Sequence, residues 1–258
     1  MRLALRAEWT KMRTVAGPTW LLLGMITATV ALGAAATSVV TCRSAGCGGD
    51  PTRLSLIGVQ LGQALAAILG VLVIGGEHRS GMIRTTLTAM PRRATLLAAK
   101  AVALTGVVAV AGSAAVLGSL LTARFILPRS GFTVAHGHPA LSLADGATLR
   151  ATAGSVLYLT LIALLSLGIA AVVRDSATSI GVVLGLLYLV PVVARVIGDP
   201  DWQRLIERLG PMSAGLAVQA TTDLGSLPLR PWAGLGITAG WAAAALLAGG
   251  IRLGRRAA

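Results

Sequence analysis

Charge is scarce in this chain: Asp, Glu, Lys and Arg make up only 12% of its 258 residues. A soluble domain usually carries about twice that share, which excludes an ordinary water-soluble globule. Acid is scarcer still, with 9 Asp and Glu against 22 Lys and Arg, and every acid falls in a polar stretch or at the end of an apolar run. A carboxylate inside a membrane span commonly marks a proton or ion path, so its absence argues against an ion-coupled carrier. Aromatic residues amount to 3% and do not interleave with the scattered basic residues. Nucleic-acid binding is therefore a poor account of the net charge of +13. The chain has no GxxxxGK[ST] phosphate loop, no HExxH and no GxSxG. It accordingly carries no recognisable ATPase, metalloprotease or serine-hydrolase centre. His136 and His138 in HGHP lack further ligand spacing and read as a solvated loop rather than a metal site.

What is present is apolar length. Hydrophobic residues make up 55% of the chain and its mean hydropathy is +0.81. A bilayer core about 30 Å thick needs about 20 apolar residues at 1.5 Å rise per residue. The runs predict an all-α polytopic membrane protein, one transmembrane domain over 1–258, with six spans. These are about 15–40, 54–74, 96–121, 151–173, 177–197 and 232–251. The short alternating segments of a barrel are not seen. Glycines such as Gly70, Gly106, Gly112, Gly118 and Gly185 suit close helix packing in lipid. The basic start, apolar run and Ala34-Ala35-Ala36 also resemble a cleaved leader, but a run of about 26 residues exceeds the usual 7–15.

Orientation follows from the basic residues. With the N-terminus inside, one side collects Arg2, Arg6, Lys11 and Arg13, then Arg79, Arg84, Arg92, Arg93 and Lys100, then Arg174, and finally Arg252, Arg255 and Arg256. Only Glu8, Glu77 and Asp175 oppose them. The opposite side holds nine Arg against six acids. This excess puts both termini in the cytoplasm of a multi-pass plasma-membrane protein. Lys100 and Arg195, near span ends, are placed to snorkel. Arg174-Asp175-Ser176 makes the fourth and fifth spans antiparallel neighbours.

Two amphipathic segments lie beside the spans. In the N-terminus, Leu5, Trp9 and Met12 share a face flanked by Arg2, Arg6 and Arg13, which predicts an interfacial helix. In GDPDWQRLIERLGP, Asp199 can cap, Pro200 suits the first helical position and Gly210-Pro211 stops the helix. Trp202, Leu205, Ile206 and Leu209 then share one face. The following MSAGLAVQATTDLGSLPL is too short and interrupted to span, and either dips into the membrane or covers the helices. Cys42 and Cys47 sit at the outer mouth of the first span, where a disulfide can persist; a small bonded loop and two free thiols both stay open. Gln60, Gln63, Tyr158 and Tyr188 are the deeper polar groups, more often helix-packing hydrogen bonds than a substrate site.

The remaining feature is GGEHRSGMIRTTLTAMPRR at 75–93, a basic stretch between two apolar runs. With the following LLAAK it resembles the cytoplasmic loop of ABC-type exporter permeases of the second class. The matching positions are Glu77, Arg79, Gly81, a helix from about Met82 to Ala89, and Pro91-Arg92-Arg93. The opening LRAEWTKMRTV, the six spans, the short turn after the fourth and the broken outer segment before the sixth are similar to that family. The Ala-, Arg- and Gly-rich style suits a high-GC actinobacterial source. The resemblance covers the whole chain in layout and is specific only in its N-terminal half.

The resemblance implies a transmembrane subunit without its own ATPase site, paired with a second copy or a paralogue. Each copy would be bound to a separate ATP-binding subunit holding ATP and Mg, so no cofactor belongs to this chain. It also implies a coupling helix that inserts into the ATPase. Met82, Ile83 and Leu87, with Thr86, give that helix an apolar side ringed by Arg79, Arg84, Arg92 and Arg93, suited to an apolar groove with an acidic rim. The alternative is that these arginines fix topology and meet anionic lipid. The translocation path would lie between the paired subunits, lined by the second and fifth spans, with Gln60 and Gln63 as candidate lining residues. A non-transporting membrane anchor or sensor is the alternative function, followed by an ion-coupled carrier.

Overall fold

The computed structural model describes residues 16–42, 49–79, 93–133 and 141–254, and among these there is no β-strand. The chain is all-α. Its helices are α1 (Ala16–Val39), α2 (Pro51–Ser55), α3 (Val59–Arg79), α4 (Arg93–Ile126), α5 (Gly146–Val173), α6 (Ser176–Leu184), α7 (Val190–Ile197), α8 (Pro200–Leu209), α9 (Pro211–Leu216) and α10 (Pro231–Gly254). Helices α6 and α7 form one rod joined through a π-helical turn, Gly185–Leu189, in which Val190 N donates to the carbonyl of Gly185. Pro191 follows directly. It has no N–H to offer the α-helical ladder, a common cause of local irregularity.

Among the described residues, five helical stretches are long and apolar enough to cross a membrane: Ala16–Val39, Thr95–Ile126, Gly146–Val173, Ser176–Val196 and Pro231–Arg252. The apolar stretch of α3, Val59–Gly75, is shorter. The expected span 54–74 is thus not one helix. Asp50 caps α2 by accepting from Arg53 N at 3.0 Å, and the chain turns over Leu56–Gly58 before α3 begins. A Cβ on Gly58 would run into the carbonyl of Thr29 on α1, so the break lets two backbones touch. Apolarity continues through the turn, which is why composition alone does not reveal it.

Helix α5 occupies the centre of the bundle. It packs against α3, α4 and α10, while α1 lies on α3 and α4. Tyr158, Leu159, Ile162, Leu165 and Leu167 of α5 are fully enclosed, as suits a helix that is apolar all round. In lipid such helices associate through close packing rather than water exclusion. At Gly168 of α5 a Cβ would stand 2.5 Å from the Ala245 carbonyl carbon of α10. Gly70, Gly112 and Gly118 also meet neighbouring helices, whereas Gly106 and Gly185 face open space and play no such part.

The ends of the bundle sort into two sets. At one end, Cys42 N donates to Ser130 O at 2.8 Å, Thr52 Oγ1 meets Thr148 Oγ1 at 3.5 Å, and Arg150 Nη2 donates to Ala220 O at 2.7 Å. At the other end, Gly75 abuts Ser176, Lys100 Nζ donates to Val73 O at 3.2 Å, and Arg174 Nη2 donates to Arg252 O at 3.3 Å. Of the described acids, Asp50, Asp145, Asp199, Asp201, Glu207 and Asp223 lie at the first end, and Glu77 and Asp175 at the other. Lys100 corrects the expectation of snorkelling: it is fully buried and turned toward α3, because α4 starts at Arg93 and carries this position well inside the bundle.

Aspartates begin the helices at both ends. Asp145 Oδ2 accepts from Thr148 N at 3.0 Å and Thr148 Oγ1 at 2.9 Å, and Asp175 Oδ2 accepts from Thr178 N at 2.7 Å. The backbone N–H of Thr148 holds the Asp145 carboxyl below its usual value, with the Thr148 hydroxyl adding to the effect. The turn between α5 and α6 is Arg174-Asp175 alone, with Arg174 in the left-handed region at φ 71°. The two helices are antiparallel neighbours, as the spacing predicts.

Helix α8 forms over the expected segment. Asp199 Oδ1 accepts from Asp201 N at 2.8 Å, Pro200 opens the helix and Gly210 closes it. Trp202, Leu205 and Leu209 are exposed. The chain then folds back into the bundle: α9 and the 3-10 turn Ala217–Gln219 bury Pro211, Ala214, Leu216, Val218 and Gln219 against α5 and α10. Trp241 Nε1 donates to Leu209 O at 2.8 Å and Thr238 Oγ1 to Pro211 O at 3.1 Å. The N-terminal interfacial helix falls on residues 1–15, outside the described residues.

Candidate functional site

At the end of the bundle holding most of the described acids, a cavity of about 760 Å³ opens. Helix α2 with its cap, the turn after it and the start of α3 give Asp50, Arg53, Leu54, Ile57 and Gln60; α7 gives Pro191 and Arg195; α8 gives Glu207. The refolded segment supplies Met212, Leu216, Gln219, Thr222 and Asp223. The wall combines apolar side chains with both signs of charge, and the volume falls in the range of about 300–1,000 Å³ common to ligand sites.

Asp50 organises this region. Beyond capping α2, its carboxylate accepts from Thr221 N, from Thr221 Oγ1 at 2.7 Å and from Thr222 N at 3.2 Å. One side chain therefore ties the connection after α1 to the one before α10. Gln219, buried on the opposite wall, donates from Nε2 to Ser155 Oγ at 3.1 Å, fixing the refolded segment to α5. The approach is so close that a Cβ on Gly154 would strike Val218, and one on Gly215 would strike the Tyr158 ring.

The two glutamines picked out by sequence part company. Gln60 is exposed and lines the cavity, and its backbone carbonyl accepts from the Tyr188 hydroxyl of the π turn. Gln63, one turn deeper, is fully buried. Its Oε1 accepts from the Tyr158 hydroxyl, and its Nε2 has no hydrogen-bond partner among the described residues. Gln63 thus stands as an internal tie between α3 and α5 rather than a wall of the cavity, the helix-packing role that buried amides in spans commonly take.

The loop residues are only partly within reach. Glu77 and Arg79 lie on the helical backbone of the last turn of α3, and Arg93 opens α4; their side chains are not described. Gly81, Met82, Ile83, Arg84, Leu87, Pro91 and Arg92 lie outside the described residues, as does the expected coupling helix. Cys42 is buried and disulfide-bonded, while Cys47 lies outside the described residues. Among the described residues no group of His, Cys, Asp or Glu is arranged to hold a metal ion.

The sequence reading missed the cavity. Its best signal was Asp50-Pro51, the same capping pair as Asp199-Pro200. The long-range bonds to Thr221 and Thr222 have no local signature. No protein-family model matches the chain, and no curated protein sequence matches it.

Proposed function

We propose that this chain is the membrane-spanning permease subunit of an ATP-driven ABC-type exporter, with α3 serving as a sixth span and both termini in the cytoplasm. The observation that supports the reading is that most described acids gather at one end of the bundle while the connection between α3 and α4 leaves from the other. The connection between α3 and α4 leaves from the same end as the Arg174-Asp175 turn and the end of α10. That end bears Lys100, Arg174 and Arg252, while the described acids cap helices or line the cavity mostly at the other. The charge bias supports a cytoplasmic position for a basic segment leaving from such an end, where an ATP-binding subunit would meet it. A partner with a phosphate loop would supply the nucleotide-binding motif that this sequence does not contain.

In this reading two copies, or this chain and a paralogue, pair across the apolar outer faces of the bundle. Val182, Leu189, Val192, Val193 and Val196 of the α6–α7 rod are exposed and suit such a contact. The path would run beside α3 and this rod, with Gln60 near its outer end. ATP binding on the partner subunits would favour one of two arrangements of the pair, because the nucleotide binds those arrangements unequally. Residues 80–92 would carry the motion into α3 and α4.

The cavity would serve equally well in a module that senses a ligand and moves nothing. Copurification separates the two readings. A tagged chain, expressed with its neighbouring genes and extracted in mild detergent, is expected to bring down a chain containing a phosphate loop. Recovery of the permease alone, with no ATP-binding chain encoded nearby, would leave the sensor as the better account.

A further inference from the structure

We propose that residues 190–205, which comprise α7 and most of α8, form a strap that swings to open and close the cavity, hinged at the π turn and latched by Tyr188. The strap belongs to the chain itself, and its motion holds for an exporter and for a sensor alike.

The strap is held at its ends and not between them. Upstream, α6 packs on α3 and α5, and the Tyr188 hydroxyl donates to the Gln60 carbonyl. Downstream, Ser213 Oγ donates to Ile206 O at 2.6 Å and Trp241 Nε1 to Leu209 O at 2.8 Å. Between these anchors the polar side-chain contacts are local: Asp199 caps α8, and Arg204 reaches Pro200 and Asp201. Helix α7 packs chiefly on the π turn and α8, and α8 on α7 and α9. Among the strap's described side chains only Ala194 is buried, while Val192, Val193, Val196, Trp202 and Leu205 are exposed. A segment with so few buried contacts belongs to the low end of local stability.

Its joints have the chemistry of hinges. Pro191 brings no N–H, so the carbonyl of Leu187 has no α-helical donor, and Val190 N reaches back to Gly185 O instead. Such π turns within helices are frequent at functional sites. Between α7 and α8, Gly198 holds φ 73°, and a Cβ there would meet open space. The left-handed conformation calls for glycine, and no neighbour packs against it.

The strap supplies Pro191 and Arg195 to the cavity wall, and α8 adds Glu207 beside the downstream anchor. The facing wall is tied elsewhere. Asp50 accepts from Thr221 Oγ1 at 2.7 Å and Thr222 N at 3.2 Å, and Gln219 donates to Ser155 of α5 at 3.1 Å. Rotation at the π turn therefore withdraws Pro191 and Arg195 from a wall that stays in place, and the mouth of the cavity widens. The Tyr188 bond joins the hinge to Gln60, which lines the cavity, and so favours the closed position.

The test is pulsed electron-spin distance measurement on the full chain in nanodiscs, with labelled chain diluted by excess unlabelled chain. Cys42 is disulfide-bonded and Cys47 is the other cysteine, so introduced thiols alone take the spin label. Arg204→Cys on the strap is paired with Leu157→Cys on α5, and the comparison pair is Leu157→Cys with Leu247→Cys on α10; all three positions are exposed. The strap pair should show a main and a minor distance, the comparison pair a single one. Tyr188→Phe, which removes the latch, should raise the minor population by about twofold or more. Pro191→Ala, which restores the missing N–H, should reduce it. The comparison distance, measured in each variant, reports whether the bundle is intact. The proposal is overturned if the strap pair gives one distance as narrow as the comparison pair, or if either folded variant keeps the wild-type populations. Capture of an ATP-binding chain bears on the exporter reading alone.

Discussion

At the scale of single residues, backbone contact sets the tolerances of this molecule. A Cβ on Gly234 of α10 would collide with the Ala214 carbonyl of α9, whereas one on Gly236 meets nothing within 4 Å. Backbone cannot retreat as a flexible side chain can. Gly234→Ala should therefore destabilise by about 1–3 kcal/mol, while Gly236→Ala should be neutral or gain a few tenths of a kcal/mol from helix propensity. Thermal unfolding in detergent compares the two directly. Asp145 offers a pH-dependent case. Its carboxyl is held below the usual range by Thr148, so its cap is fully in place above the unfolded value of about 4 and is lost as pH falls through the lowered folded value. The protection of the Thr148 amide, measured as exchange relative to the unstructured amide at the same pH, should fall at acidic pH in the wild type and be low at all pH values in Asp145→Ala. At this scale sequence was informative where the signal is local. Asp199-Pro200 announced its helix, but Asp50-Pro51 drew no such reading because apolar residues follow it on both sides of the turn. Its bonds to Thr221 and Thr222 depend on a return of the chain that no local pattern encodes.

At the scale of elements, apolar length located the helices well and their interruptions poorly. The run 54–74 holds the end of a five-residue helix, a turn and most of α3, since a break that lets Gly58 meet Thr29 does not require a polar residue. The π turn at Gly185–Leu189 is likewise silent in hydropathy, although Pro191 hints at it. Helix α8 was legible throughout because its signals agree: a capping Asp, Pro at the first turn, an apolar stripe and a terminal Gly-Pro. None of its side chains is buried, so the protein itself does not cover the stripe. The membrane interface is the expected cover. With the other tryptophans replaced by Phe, Trp202 fluorescence in proteoliposomes should be quenched most by lipids brominated near the headgroup. Equal emission with and without brominated lipid would mean that α8 stands off the membrane.

At the scale of the whole molecule, the bundle gathers most of its described acids at one end, and the functional account depends on that asymmetry. The order of helices was readable from apolar runs. The way the last connection folds back between α5 and α10 was not, because MSAGLAVQATTDLGSLPL is too short to span and too apolar for an exposed loop, a conflict that only tertiary packing resolves. The central claim is that residues 80–92 pass energy from a separate ATPase into α3 and α4. Its most direct measurement is ATP hydrolysis by the isolated complex, wild type against M82D/I83D, with membrane insertion verified for both. The account predicts that the wild-type complex hydrolyses ATP at a rate raised by the permease, and that the double substitution removes this stimulation while the chain still inserts. Undiminished stimulation in the inserted M82D/I83D complex would contradict it.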